Sequence, residues 1–264
     1  MNDDMQIIDL TPENIADYGV CGYKDIKKHK ELKAKIEWFN EYYPKGLKMK
    51  VLISEQEGYQ GMIEYLPGKY AHRPVHAHGY MFIHCIFIGF KNVYKGKGYG
   101  SALIDICIDE ARKRKMLGVT VVTRKGAFMA DKEIFYKKGF ELVDSAQPDF
   151  NLLAIKFDNK TPFPSFKHDI IANLNDYKNG LTIIRSTQCP YTEKNVKAII
   201  ASAEKTFKLK TNLIDLKDSA SAQQTPCAFG TFCIIYKGKV ISHHPISNKR
   251  FENIMTKIIN NSIS

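Results

Sequence analysis

The chain has 264 residues, a formal net charge of +11, and hydrophobic and charged fractions of 44% and 25%. These are values typical of a globular protein, and the length suits one large domain or two ordinary ones. All apolar runs are shorter than the roughly twenty residues of a membrane-spanning helix, and residues 1–10 lack the basic and apolar order of a signal peptide. The six cysteines lack the dense spacing of a disulfide framework. We therefore predict a cytoplasmic protein that neither enters nor binds a membrane.

The excess of positive charge raises the question of a nucleic-acid partner. The lysines are spread along the whole chain, and neither a zinc-finger spacing nor an aromatic RNA-binding motif is present. Solvated lysine faces account for most of the excess, and attraction for a phosphate-rich cofactor accounts for a little. We predict no nucleic-acid partner.

Periodicity and turn residues predict alternating strands and helices in the first half of the chain. In chain order we predict a strand at 5–10, a short helix after Thr11-Pro12, a lysine-rich helix at 24–43, strands at 48–54, 60–66 and 80–90, a helix after Ser101, a strand at 118–123, a helix at 131–138, and strands at 141–143 and 151–157. The helix after Ser101 carries Leu103, Ile106, Cys107 and Ala111 on one apolar face. The segment between residues 66 and 80 carries His72, His76 and His78 without a fourth ligand in a recognised zinc spacing. It is therefore predicted to be a polar exposed loop, and no metal is expected.

The composition changes at residues 158–165, where two prolines stand among polar neighbours, as in a linker. We predict a first domain at 1–158, a linker at 159–168 and a second domain at 169–264. In the second domain we predict a helix at 169–177, a strand at 181–185, a helix at 193–204, a strand at 209–216, a short helix near Ser219, strands at 229–236 and 239–242, and a helix at 251–259.

The most informative stretch follows the apolar strand at 80–90 and runs Lys95-Gly96-Lys97-Gly98-Tyr99-Gly100-Ser101. Glycines allow backbone N–H groups to turn inward, and the start of the next helix adds partial positive charge, so this stretch predicts a phosphate or diphosphate site. The spacing differs from the Rossmann G-x-G-x-x-G, and the Gly-Lys-Ser/Thr of a Walker loop is absent. A plain tight turn is the other reading.

This strand, glycine loop and helix resemble the (Arg/Gln)-x-x-Gly-x-(Gly/Ala) signature of the GNAT N-acetyltransferases, with lysine at position 95. Longer stretches, GYMFIHCIF…YKGKGYGS, ADKEIF…KGFELVDSAQPDFNLLAIKF and TQCPY, are similar to the YoaP-like branch of that superfamily. The resemblance implies an α/β (α+β) fold class: the mixed sheet of acyl-CoA N-acyltransferases, followed by a smaller thioredoxin-like domain. It also implies that acetyl-CoA is the cosubstrate, that the acetyl group passes to a small-molecule or peptide amine by direct attack, and that no metal takes part.

The resemblance also assigns residues to the acetyl-CoA site. The exit of the strand would pair with pantetheine, and a backbone N–H there would stabilise the oxyanion, while the glycine loop would hold the diphosphate. These residues are Ile88, Gly89, Phe90, Lys95, Gly96, Lys97, Gly98, Tyr99, Gly100 and Ser101. Gly89 suits a bulge where the family's strand leaves its neighbour.

Catalytic residues are less clearly marked. Many family members carry an acidic tyrosine four residues before a Gly-Phe pair, but here that position is Phe135, which we expect to pack on the cofactor. Tyr136, one step further, is the candidate proton donor, and solvent is the alternative. His84 and Glu64 are the candidate bases, acting directly or through water.

In the second domain, Cys189 precedes a predicted helix, whose dipole would lower the pKa of its thiol. Cys227 follows Pro226, which would occupy the cis-proline position of the thioredoxin fold, and Cys227 would then face Cys189. Thr192 replaces the second cysteine of a dithiol motif. The sequence therefore leaves open a rival function, thiol redox or thiol binding through Cys189 with a first domain that only binds CoA, and also a binding module without turnover. The acceptor and the oligomeric state are not fixed by the sequence.

Overall fold

The structure is a computed structural model that describes residues 5–23, 25, 28–89 and 92–261. The chain divides into two compact units, one of residues 1–71 and 75–167, and one of residues 72–74 and 168–264. The assignment of named fold types to residues 1–158 and 169–264 stays a prediction.

The first unit alternates strands and helices around one large sheet. Its elements are β1 (Met5–Asp9), α1 (Lys30–Tyr42), β2 (Lys48–Ser54), β3 (Gly58–Pro67), β4 (Val75–His76), β5 (Tyr80–Ile88), α2 (Tyr99–Lys113), β6 (Gly118–Thr123), α3 (Glu133–Tyr136), β7 (Glu141–Ala146), β8 (Phe150–Lys156) and β9 (Ser165–Phe166). Strands β4 and β9 form a separate antiparallel pair.

Seven strands in the described part of this unit form one sheet, in the order β1-β2-β3-β5-β6-β8-β7. Every neighbouring pair is antiparallel except β5 and β6, which are parallel and joined by α2. A parallel pair needs such a crossover, whereas the antiparallel pairs β2–β3 and β7–β8 are joined by short turns. The predicted mixed α/β sheet is confirmed.

Helix α2 packs on the sheet through a stripe of small and aliphatic side chains. Leu103, Cys107 and Ala111 recur at four-residue spacing and are fully buried. They join a core cluster with Val119 and Val121 of β6, a strand whose six residues are all buried. The helix is therefore fixed against the parallel pair, and residues 89–98 connect the end of β5 to its N-terminus.

Three predictions for the first unit are wrong in whole or in part. Residues 12–17 form turns, not a helix, because the Asn14 side chain accepts from the Thr11 N–H and donates to the Asp9 carbonyl, which competes with helix formation. Helix α1 begins at Lys30 and not at residue 24, and residues 24, 26 and 27 lie outside the described part. The histidine segment is only partly the polar exposed loop that we expected, because His76 and His78 are exposed whereas His72 is 1% exposed.

The second unit has a smaller sheet of four strands within its described residues. Its elements are β10 (Leu181–Ser186), α4 (Val196–Lys205), β11 (Thr211–Leu216), α5 (Ser219–Ala222), β12 (Phe232–Tyr236), β13 (Lys239–Ser242) and α6 (Asn248–Asn260). The strand order is β11-β10-β12-β13, with β10 and β11 parallel and the other pairs antiparallel.

Two predictions for the second unit are also wrong. Residues 169–177 form turns and a short 3-10 helix at Asn175–Tyr177 in place of one helix. Ala172 has a φ of +67° and donates its N–H to the Pro226 carbonyl, so the helical hydrogen-bond pattern cannot continue there. The peptide bond before Pro226 is not cis; of the described bonds, the one before Pro148 is. The thioredoxin-like assignment therefore loses the cis-proline that we expected.

Candidate functional site

The parallel strands β5 and β6 separate along their length. They pair from Tyr80 opposite Gly118 to Ile83 opposite Val121, and no further pairing joins the rest of β5 to β6 within the described residues. Burial changes at nearly the same point: residues 80–84 are buried, whereas residues 85–88 are half-buried. An unpaired strand edge of this kind can accept a ligand that carries amide groups.

The exit of β5 also lies close to β3. The Gly89 N–H donates to the Gln60 carbonyl at 2.5 Å, and a Cβ on Gly89 would lie 2.9 Å from that same oxygen. Glycine is therefore required here by close backbone approach. This differs from the predicted bulge at Gly89: the bulges of this region lie earlier, and the separation from β6 begins after Ile83. Phe90 lies outside the described residues.

The glycine loop after β5 has the conformation and the open space that an anion site needs. Gly96 and Gly98 have φ values of +71° and +82°, and a Cβ on either would meet no atom within 4 Å. Lys95 and Lys97 are exposed beside them. Gly98 is the N-cap of α2, whose first turn carries no acidic side chain. The loop therefore combines open backbone, two ammonium groups and a helix N-terminus, which are the features of an anion-binding site.

Other predicted cofactor residues have structural reasons for their identity. Tyr99 is 5% exposed and packs with Tyr94, so only its backbone faces the loop. Gly100 allows α2 to approach α3, since a Cβ there would lie 2.7 Å from Cδ1 of Ile134. Ser101 is half-buried in the first turn of α2.

Phe135 does not agree with its predicted role. Its side chain is fully buried in the core cluster, with its ring centroid 5.4 Å from that of Phe140. The ring therefore holds α3 on the sheet and presents no surface to a cofactor. Tyr136, the next residue, is half-buried against the edge of the same cluster and keeps part of its side chain at the surface.

The two predicted bases, Glu64 and His84, form one buried cluster with Lys35. Nδ1 of His84 lies 3.2 Å from Oε1 of Glu64, and the Lys35 ammonium donates to Oε2 of the same carboxylate. All three side chains are inaccessible to solvent. The Lys35 ammonium also lies 4.0 Å from the centre of the Trp38 ring, a distance at which the ring face attracts a cation.

The ion pair controls the ionisation of Glu64. Burial on its own would raise the pKa of this carboxyl group, but the Lys35 charge and the hydrogen bond with His84 outweigh it and lower the pKa to about 2. Glu64 is therefore a carboxylate at neutral pH and a poor acceptor of another proton. Its position suits it to orient the His84 ring, because a carboxylate at Nδ1 holds the proton on that nitrogen and leaves Nε2 as the acceptor.

A β-bulge brings the pair together. In the register of β3 and β5, Glu64 lies opposite Cys85 and Tyr65 lies opposite Ile83, so His84 is the extra residue. A second irregularity makes Gln60 the extra residue between β2 and β3. The first bulge lies next to the point where β5 stops pairing with β6, and the second contains Gln60, which accepts the Gly89 N–H. Bulges commonly re-aim side chains beside functional sites.

Lys35 is the residue that the sequence analysis missed. We interpreted α1 as a lysine-rich helix with a solvated face, but Lys35 is fully buried between Leu32 and Phe39 on the same face. The signal was present, because residues at i+3 and i+7 from Leu32 share its side of a helix. A lysine on a buried stripe requires a buried carboxylate as its partner.

The predicted thiols of the second unit lie in different surroundings from those expected. Cys189 precedes a 3-10 turn at Pro190–Thr192, and α4 begins only at Val196, so the expected helix N-terminus next to Cys189 is wrong. The Thr192 hydroxyl donates to the Cys189 carbonyl at 2.7 Å and stabilises this turn. Sγ of Cys227 lies 3.1 Å from Nδ1 of His243.

Among the described residues, no three His, Cys, Asp or Glu side chains form a group that could hold a metal ion. Within those ranges, no helix has both the length and the apolar character needed to cross a lipid bilayer.

Comparison with known proteins gives one family match and one relative along nearly the whole chain. A family model described as YoaP-like matches residues 211–253. The chain is 28% identical over 257 residues to a Bacillus subtilis (strain 168) protein named uncharacterized N-acetyltransferase YoaP, and the alignment covers 96% of this chain and 100% of that protein.

Solved structures resemble the chain more distantly. The yncA structure of Salmonella typhimurium, solved with acetyl-CoA, is 14% identical, covers 61% of this chain and 98% of its own, and gives a TM-score of 0.43. A GNAT family acetyltransferase of Elizabethkingia anophelis with acetyl-CoA bound is 15% identical, covers 59% of this chain and 100% of its own, and gives a TM-score of 0.39. Similarities this weak carry no function over to this chain.

Proposed function

We propose that the chain is an acetyl-CoA-dependent N-acetyltransferase of the GNAT superfamily, YoaP-like branch, which acetylates a small-molecule or peptide amine by direct attack. One observation carries the proposal: β5 stops pairing with β6 after Ile83, and the segment after the end of β5 at Ile88 leads to a glycine loop at the N-terminus of α2. The name of the Bacillus subtilis relative supports the same activity.

Binding is assigned to main-chain groups and to two lysines. The unpaired edge of β5 at Ile88 is proposed to pair with the amides of the pantetheine arm, while the Gly89 N–H stays bonded to the Gln60 carbonyl and holds this edge against β3. The N–H groups of Gly96 to Ser101 are proposed to bind the diphosphate, and the Lys95 and Lys97 ammonium groups to compensate its charge. Acetyl-CoA brings the activated acetyl group to this edge.

Proton transfer is assigned to the buried cluster and to Tyr136. His84 is proposed as the proton acceptor for the attacking amine, by way of water, since its side chain is buried. Glu64 is a positioning residue that acts through the His84 ring, and Lys35 keeps Glu64 ionised. Tyr136 is the proposed proton donor to the leaving thiolate.

A direct assay tests the function. The chain is incubated with acetyl-CoA and a panel of primary amines and short peptides, and acetylated products are measured by mass spectrometry. We expect at least one amine to be acetylated in proportion to enzyme, and Cys189→Ser to leave the rate unchanged. Loss of acetylation in Cys189→Ser alone, or acetyl-CoA binding without any product across the panel, would contradict the proposal.

A further inference from the structure

The second unit contains a group of buried thiols and an imidazole that acetyl transfer does not use. Cys227 and Cys233 are each 1% exposed, and all six cysteines of the chain are unoxidised thiols. The sulfur of Cys227 lies 3.1 Å from Nδ1 of His243. A hydrogen bond with Cys233 also helps to lower the pKa of Cys227. The Cys227 sulfur therefore has a second thiol and an imidazole as its partners.

Fixed backbone holds this group in place. Cys233 lies in β12, opposite Ile184 of the central strand β10. Cys227 lies in the tight turn before β12, where its carbonyl accepts the Gly230 N–H at 2.8 Å. His243 follows directly after β13, the other neighbour of β12. The contact between the two thiols is therefore built by adjoining elements of one sheet.

The donors around Cys227 favour its thiolate. Burial alone would raise the pKa of this thiol, but hydrogen bonds from Cys233, from His243 and from the Phe229 backbone outweigh it and lower the pKa to about 5. The hydrogen bond to Cys227, burial and the negative charge of Cys227 raise the pKa of Cys233 well above its usual value. One sulfur is thus prepared as a nucleophile, and the other keeps its proton until a reaction begins.

We propose that Cys227 and Cys233 are a peroxide-reactive dithiol, in which His243 receives and returns the proton of Cys227. Sγ of Cys227 attacks one oxygen of a hydroperoxide, the O–O bond breaks, and the leaving oxygen takes the proton held at His243 and departs as water or an alcohol. Cys227 is then a sulfenic acid. Sγ of Cys233 attacks that sulfur and forms a disulfide, and the hydroxyl group leaves with the Cys233 proton as water. Two thiols are oxidised and one peroxide is reduced.

Burial selects the oxidant. A sulfur that is 1% exposed excludes a bulky disulfide reagent, whereas hydrogen peroxide is close to water in size. His243, which contacts this sulfur, is only half-buried. This proposal is independent of the acetyl-transfer proposal, because it uses none of the same residues.

The test uses the full chain, hydrogen peroxide and peptide mass spectrometry. Trypsin cleaves after Lys217 and Lys237, so one peptide contains both Cys227 and Cys233 and no other cysteine. After peroxide we expect this peptide to be lighter by two hydrogen atoms and to resist alkylation until it is reduced. Cys107, fully buried with a raised pKa, is the internal control and is expected to stay alkylatable once the chain is denatured.

Two variants test the roles of the individual groups. Cys233→Ser removes the second thiol and should leave Cys227 as a sulfenic acid that dimedone traps. His243→Asn should slow the oxidation at least about tenfold, with thermal melting confirming that the variant is folded. Two alkylatable thiols in the 218–237 peptide after peroxide, equal oxidation of Cys107, or an unchanged rate in folded His243→Asn would each overturn the proposal.

Discussion

Oε1 of Glu64 lies 3.2 Å from Nδ1 of His84 in the interior of the first unit, although the two residues are not opposite each other in the β3–β5 register. Neighbouring residues of a regular strand point to opposite faces of its sheet. The bulge at His84 removes this alternation locally and allows His84 to share a face with Glu64. The contact therefore depends on the irregular backbone at the point where β5 begins to leave β6.

The first prediction concerns acid stability. The folded-state pKa of Glu64 is about 2, below its ordinary value of 4.5, so Glu64 stabilises the fold fully above about pH 5, and this contribution disappears as pH falls toward 2. The shift corresponds to roughly 3 kcal/mol. Denaturant unfolding of the chain at pH 7, 4 and 3 should show the loss.

Paired variants separate the ion pair from a general acid effect. Glu64→Gln alone leaves the Lys35 charge buried without its partner and should cost about 3–5 kcal/mol at pH 7. The double variant Lys35→Met/Glu64→Gln should recover much of that loss and show a shallower decline between pH 5 and pH 3. An equally steep decline in the double variant would show that other carboxylates cause it.

The second prediction concerns His84. His84→Gln keeps a hydrogen-bonding side chain beside Glu64 but removes the proton acceptor, so kcat should fall about 10²-fold or more. CoA affinity should stay within about threefold, because no phosphate-binding group has changed. Steady-state kinetics on any amine that the chain acetylates, with calorimetry for CoA, measure both quantities. An unchanged kcat would remove His84 from the proposed chemistry.

The third prediction concerns the exit of β5. Gly89→Ala places a Cβ 2.9 Å from the Gln60 carbonyl, so β5 must shift away from β3. We expect a loss of about 1–3 kcal/mol in unfolding free energy and weaker CoA binding. Gly118→Ala is the matched control, because its Cβ would lie 2.1 Å from the Ile155 carbonyl in the same sheet, where β6 pairs with the start of β5 and not with its exit. Equal losses of CoA affinity in both would assign the effect to general distortion.

The fourth prediction concerns the lysines of the glycine loop. Lys95 and Lys97 are exposed, so their removal should cost little stability, while the charge that they offer the diphosphate is lost. Lys95→Ala/Lys97→Ala should weaken CoA binding about tenfold at low salt and less at high salt, where screening already weakens the attraction. Titrations at two ionic strengths measure this difference. If the ratio of wild-type to variant CoA affinity is the same at both ionic strengths, the lysines lie away from the phosphates.

Local sequence patterns predicted the segment from β5 to α2 well. The apolar run of β5, the glycines at 96 and 98, and the stripe of Leu103, Cys107 and Ala111 are all visible as local spacing, and the structure places them as strand, positive-φ turn and buried helix face. These features depend on neighbours in sequence, which a single chain displays directly.

Long-range pairing accounts for what the sequence did not reveal. The burial of Lys35 depends on Glu64, which is 29 residues away, and the position of His84 depends on a bulge in strand register. At Thr11-Pro12, helix-start residues were overridden by two hydrogen bonds of Asn14. Cys227 was expected to face Cys189, but its contact with Cys233 arises because a turn and a strand meet, which local spacing does not show.

Calorimetric titration of CoA into three proteins tests the central claim most directly. In Gly98→Glu, the new side chain fills the proposed phosphate site and its charge repels phosphate. The control, Gly238→Glu, is the same substitution in the second unit. Gly238 also follows a lysine and has a φ of +74°, and a Cβ there has only ordinary contacts. We predict micromolar or tighter binding by the wild type and Gly238→Glu, and a loss of at least about 100-fold in Gly98→Glu, or roughly 2.7 kcal/mol. Equal CoA affinity in all three proteins would contradict a diphosphate site at the start of α2.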